Sequence, residues 1–278
     1  MNRQSRLSPE DYLEPPCPLC MDPVGGNSVT PIPQQRVLDK LDRYMSRRDY
    51  DGAERHLLYW LSEAESGRDQ RGRLLLCNEL IGHYRKTGQK EKAFQYAERA
   101  LSLLEEMDYG GSISAGTTCI NAATAYSAFG EQERAIGLFR RAQTIYESNE
   151  HTPPHLLGGL YNNMALSCQA LGQYEEAFSL YEKAMETMAC VRNGALEQAI
   201  TCLNMADAVA AQSGPEAGEQ RVNELLDRAC SLLQDSSLPH DGYYAFVCEK
   251  CAPSFLYYGW FAVAEELQQE AKRIYERA

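Results

Sequence analysis

At 278 residues, 44% of them hydrophobic, the chain is long enough to bury one large core or two ordinary ones. Its 27 basic against 39 acidic residues leave a formal net charge of −12, which argues against nucleic-acid binding and favours neutral or basic partners. The first residues lack the apolar stretch of a secretory signal and no run of ~18 apolar residues follows, so a cytoplasmic protein without a membrane span is expected, its ten cysteines mostly free thiols.

Residues 1–34, with "EPPCPLCMDPVGGNSVTPIPQQ" at their heart, are rich in Pro and Gly and show no helical period. They read as an irregular tail carrying one CxxC pair. From about Gln35 the pattern changes to helices in a fixed grammar. A degenerate first copy, "YMSRRDYDGAERHLLYW", supplies Ala53, with Arg48 where later copies have glycine and Trp60 where they have a second alanine. "YRKTGQKEKAFQYAERAL" follows from Tyr84 to Leu101, then "YSAFGEQERAIGLFRRAQ" from Tyr126 and "CQALGQYEEAFSLYEKAM" from Cys168. A stretched fourth repetition around Gly214-Pro215 ends on Ala229, and "FLYYGWFAVAEELQQEAK" closes the series from Phe255. Gly88, Gly130, Gly172 and Gly259 each precede an alanine by five residues and a second alanine by twelve. Ala93, Ala135 and Ala177 are spaced 42 apart. Loops are expected near 109–112, 151–154, 214–215 and 236–242, and Pro253 should kink or restart the helix that holds it.

The grammar has a physical cause. Glycine ends a helix by entering the left-handed region without a Cβ penalty, and the alanines let a second helix pack closely on the first. One such hairpin cannot cover its own apolar face, so neighbours must stack. A period near 40 residues marks stacked helical units. On Tyr84, Gly88, Ala93, Ala100 and their counterparts, residues 35–278 resemble the tetratricopeptide repeat (TPR) family in its longer form, known from kinesin light chains and some peptide-sensing bacterial regulators. The resemblance implies an all-α, right-handed α-solenoid of about six helical hairpins, with a concave groove lined by the first helix of each pair.

Asn121 and Asn163 each lie nine residues before a repeat glycine, and Asn204 continues the column 41 residues after Asn163. The resemblance places that column in the groove, where in similar proteins asparagines bind peptide backbone. A side-chain amide both donates and accepts, so a ladder of amides grips an extended chain whatever its side chains. Asn162 lies beside the column, and Asn78 lies beside Glu79, which holds the matching place in the earlier copy. The alternative is that these amides bond between helices.

A second signal is the CxxC pairs Cys17/Cys20 and Cys248/Cys251, whose spacing suits a tetrahedral Zn²⁺. The competing reading is that Cys248 and Cys251 pack as small apolar groups, as Cys77, Cys119, Cys168, Cys190, Cys202 and Cys230 are expected to do. Catalysis finds no support: His151 and His155 flank a Pro-Pro loop, and no HExxH, phosphate loop or nucleophile elbow occurs. The reading is a non-enzymatic adaptor or regulator that binds a protein or extended peptide, with no nucleic acid and no membrane as partner. A zinc- or redox-responsive module and a homodimer joined through the aromatic C-terminal repeat are the alternatives.

Overall fold

A computed structural model describes residues 29–214 and 216–277. They form twelve helices and, among the described residues, no strand. The helices are α1 (Gln34–Ser46), α2 (Tyr50–Ser66), α3 (Gln70–Lys86), α4 (Lys90–Glu106), α5 (Ile113–Ala128), α6 (Gln132–Glu147), α7 (Pro154–Ala170), α8 (Tyr174–Ala189), α9 (Ala195–Ser213), α10 (Glu219–Leu233), α11 (Gly242–Tyr257) and α12 (Phe261–Tyr275). Each odd helix pairs with the even helix after it, giving six hairpins.

The glycine of each repeat ends the first helix as the grammar requires. Gly88, Gly130, Gly172 and Gly259 have φ between 72° and 84°. In the first hairpin Arg48 takes the same left-handed place at φ 56°, at the energetic cost a Cβ imposes there. The alanines sit at the hairpin contacts: Ala53, Ala93, Ala100, Ala135, Ala142, Ala177 and Ala184 are fully buried. Tyr84, Tyr126, Tyr146, Tyr181, Phe139 and Phe255 fill the space between hairpins.

The odd helices α3, α5, α7, α9 and α11 stack directly on one another, while the even helices pack mainly on their odd neighbours. Helices that approach closely line the inside of a curve, so the odd helices form the concave layer. Arg48, at the end of α1, lies 3.7 Å from Glu249 on α11, so the first and last hairpins meet. Residues before α1 also join the body. The Thr30 amide donates to the Gly67 carbonyl and the Ile32 amide to Asp69, with the Ile32 side chain buried.

Several local expectations need correction. α11 runs without interruption through Pro253. The proline is exposed, so the carbonyl it leaves without a helical donor is on the solvent side. Pro154 opens α7, where its missing N–H costs nothing, and this puts His155 in a helical first turn rather than a loop. Cys190 is exposed and Cys230 only partly covered, because they lie at the end of α8 and on the flank of α10, away from the inter-hairpin core.

Candidate functional site

The concave stripe is built by register. Burial of α5 repeats in α7 after 42 residues and in α9 after a further 41. Asn121, Asn163 and Asn204 therefore occupy one place on successive inner helices, and each is half-buried. The same place holds Glu79 on α3 and Lys250 on α11.

The amides divide into two groups. Asn78 donates from Nδ2 to the Leu74 carbonyl and to Thr118 Oγ1, both at 2.9 Å, and its Oδ1 accepts from Asn121 Nδ2 at 2.9 Å. Asn162 is buried, and its Oδ1 accepts from Asn204 Nδ2 at 3.0 Å and from Thr201 Oγ1 at 3.2 Å. Asn78 is thus consumed, and the Oδ1 of Asn162 is saturated, in tying neighbouring inner helices together. Asn121 and Asn204 each spend one N–H on that tie, which fixes their rotamers and leaves a carbonyl oxygen and a second N–H. Asn163 has no hydrogen-bonded partner among the described residues. The sequence column is therefore a row of unsaturated amides, two of which, Asn121 and Asn204, are oriented by the asparagines beside it. Thr118 and Thr201, which complete the ties, were not anticipated; their only sequence signal is a hydroxyl 40 or 39 residues beyond its asparagine.

The rest of the stripe is small or uncharged: Thr117 and Thr124 on α5, Gly159 and Leu166 on α7, Gly82 on α3. A Cβ built on Gly82 or Gly159 meets nothing within 4 Å. Glycine inside a helix costs about 0.5–1 kcal/mol against alanine, and here no protein neighbour forbids the methyl group. Both positions lower the groove floor.

Carboxylates stand on either side of this floor. Burial and the nearby Asp42 charge raise the pKa of Glu79 on α3. On α9, Asp207 accepts from Tyr258 Oη at 2.7 Å and Glu197 accepts from Tyr243 Oη. Burial raises the Asp207 pKa despite the tyrosine bond.

Cys248 and Cys251 are 0% and 1% exposed, and burial pushes their thiols up to about 11 and about 12. A zinc ligand must be a thiolate, and burial here disfavours that form. Among the described residues no group of three or more His, Cys, Asp or Glu is placed to hold a metal ion. Cys17 and Cys20 lie outside the described residues. The eight described cysteines are unpaired. No helix among the described residues is long and apolar enough to cross a membrane. Tyr243, Phe246, Leu256, Tyr257 and Phe261 of the last hairpin are exposed, so the C-terminal aromatics divide between core and surface.

Residues 158–188, which span most of α7 and α8, match the tetratricopeptide repeat family. No curated protein matches the chain. Among solved structures, the nearly identical TPR-like repeats of a Podosopora anserina kinesin light chain are 21% identical, with a TM-score of 0.52 over 73% of this chain and 94% of that one. BtubC (BKLC) from P. vanneervenii is 18% identical, with a TM-score of 0.51 over 88% and 91%. NprR, solved with its cognate peptide NprX, is 17% identical, with a TM-score of 0.57 over 85% of this chain and 65% of that one. Together with the glycine-alanine register and the stacked inner helices, these likenesses make the described residues an all-α, right-handed solenoid of tetratricopeptide-type hairpins with repeats of roughly 42 residues, similar to those of kinesin light chains.

Proposed function

We propose that the protein is a non-enzymatic adaptor or regulator that binds an extended peptide segment of a partner protein along its concave face. The observation that carries this reading is the row Asn121, Asn163 and Asn204, in which Asn78 pins Asn121 and Asn162 pins Asn204, and all three keep spare donors and acceptors. Peptide backbone presents donors and acceptors in alternation, and a side-chain amide answers both. NprR, which shares this fold at 17% identity and was solved in complex with its cognate peptide NprX, supports the reading. Unpaired thiols suit a cytoplasmic setting.

The test is co-purification from native lysate with wild-type protein and an Asn121→Ala/Asn163→Ala/Asn204→Ala variant, followed by affinity measurement on the recovered partner. Each lost bond should weaken binding by roughly two- to tenfold, at about 0.5–1.5 kcal/mol per bond. Equal affinity of the two proteins would remove the groove from the account.

A second reading draws on the exposed Tyr257 and Phe261, 80% and 65% accessible on the last hairpin. A second copy of the chain covering that face makes a homodimer, compatible with peptide binding. Sedimentation of wild type and a Tyr257→Glu/Phe261→Glu variant checks it. A mass that does not rise with concentration refutes it.

A further inference from the structure

The charge pattern of the inner layer gives the peptide-groove reading a ligand chemistry. α5 and α7, which carry Asn121 and Asn163, contain no Asp, Glu, Lys or Arg at all. The helices on either side do. On the α3 side stands Glu79, with Asp42 of α1 close enough to disfavour its charge. On the α9 side stand Glu197 and Asp207, on the same face as Asn204 and held by Tyr243 of α11 and by Tyr258 just past its end. None of these four carboxylates, Asp42, Glu79, Glu197 and Asp207, meets a cation in a hydrogen bond or ion pair among the described residues. Lys86, the other charge on the α3 stripe, sits over the Tyr50 ring at 5.7 Å, away from the inner row. Lys250 on α11 is exposed and marks where the acidic footprint ends.

A neutral segment lying on Asn121, Asn163 and Asn204 leaves these carboxylates partly desolvated and unneutralised. A segment with cations at both ends neutralises them while its centre crosses a floor with no charge to oppose it. We propose that the groove selects a basic–uncharged–basic peptide, its first cation at Glu79 and Asp42 on the α3 side and its second at Glu197 and Asp207 on the α9 side. The proposal rests on the peptide-groove reading. Three inter-helix steps of ~8–10 Å separate α3 from α9. At ~3.3 Å per residue that span places the two basic ends about seven to nine residues apart. The small residues Gly82, Gly159 and Thr117 let the backbone of the centre approach the floor closely.

The experiment is selection from a displayed library of random peptides about 12 residues long, matched to that span, against three full-length proteins. These are the wild type, a Glu79→Gln/Glu197→Gln/Asp207→Asn variant, and the Asn121→Ala/Asn163→Ala/Asn204→Ala variant. Melting temperatures of all three establish that each is folded. The wild type should enrich peptides with Lys or Arg at both ends of an uncharged centre. The carboxylate variant should still select peptides but lose the basic preference, and should bind a wild-type-selected peptide roughly tenfold more weakly, the sum expected of a few exposed ion pairs. If the wild type instead enriches acidic, aromatic or charge-indifferent peptides that still depend on the asparagines, the basic-ended ligand is wrong and the groove reading stands. If no peptide depends on the asparagines, the groove reading itself falls and takes this inference with it.

Discussion

The outer and inner helices of this solenoid solve different problems with the same repeat. Outer helices such as α6 and α8 bury a single stripe (Ala135, Phe139 and Ala142 on one, Ala177, Tyr181 and Ala184 on the other) and give the remaining faces to charged residues. Inner helices such as α5, α7 and α9 pack against an outer partner and an inner neighbour on each side, so eight or more of their residues are buried. An outer helix therefore shows strong amphipathic periodicity, while an inner one reads as apolar and small almost all round. What remains on the inner helix is one narrow stripe, and packing does not dictate its residues. Amides on that stripe need another reason. The difference teaches that packing fixes one stripe of an outer helix and nearly all of an inner one, and leaves only the inner stripe open to the proposed groove.

Breaking the packing side of this comparison should give the largest effect. Phe139 is 1% exposed, and Phe139→Ala should destabilise by about 3–5 kcal/mol through lost burial and the cavity left behind. Urea unfolding checks it. A loss under about 1 kcal/mol would mean the hairpins are far more loosely packed than their buried aromatics suggest.

Next come the alanines. Ala135 and Ala177 have no exposed surface, so Ala→Leu at either should overpack by about 1–3 kcal/mol. Wild-type unfolding midpoints would show that the close helix contacts lie elsewhere.

A smaller effect should appear on the inner stripe itself. Glu79 is held above the usual carboxylate range by burial first and by Asp42 second. An acid raised in the folded state binds its proton more readily folded than unfolded. Its charged form therefore opposes folding at neutral pH, and that penalty fades as pH falls through the raised pKa. Glu79→Gln should accordingly stabilise the free protein at neutral pH, with the gain shrinking on acidification. Thermal melts of both proteins across that range are the measurement. A destabilised variant at neutral pH would mean Glu79 is satisfied inside the fold and is not waiting for a cation.

Much of the fold was legible in the residues. The glycine-alanine spacing located six hairpins because each glycine must enter positive φ and each alanine must admit a neighbouring helix, and both demands are local. Arg48 was harder to read. A left-handed arginine leaves no composition signal, and only its place in the series identifies it. Pro253 misled because its cost depends on which way the freed carbonyl points, which no local pattern reveals. The same limit applied to the site. The 42-residue spacing showed that Asn121, Asn163 and Asn204 share a face. It did not show that Asn78 pairs with Asn121 and Asn162 with Asn204, because side-chain bonds between helices depend on rotamers and on partners such as Thr118 and Thr201 some 40 residues away. Cys248 and Cys251 carry a metal-like spacing, and that spacing does not reveal that both lie buried in the core.

The two neighbouring asparagines of α7 allow the most direct test of the account. Asn162 is buried and accepts from two donors on α9, and Asn163, one residue on, is half-buried with no bonded partner among the described residues. The measurement is the melting temperature and the affinity for a selected groove peptide, taken on Asn162→Ala and Asn163→Ala in parallel. Asn162→Ala should lose about 0.5–1.5 kcal/mol of stability by removing the acceptor of Asn204, while Thr201 keeps its bond to the Glu197 carbonyl. Asn163→Ala should melt like the wild type or slightly higher, since alanine is the better helix former, and should bind the peptide about two- to tenfold more weakly. The opposite assignment, with Asn163→Ala destabilised and its peptide affinity intact, would contradict the division of the inner helices into residues that hold the groove and residues that use it.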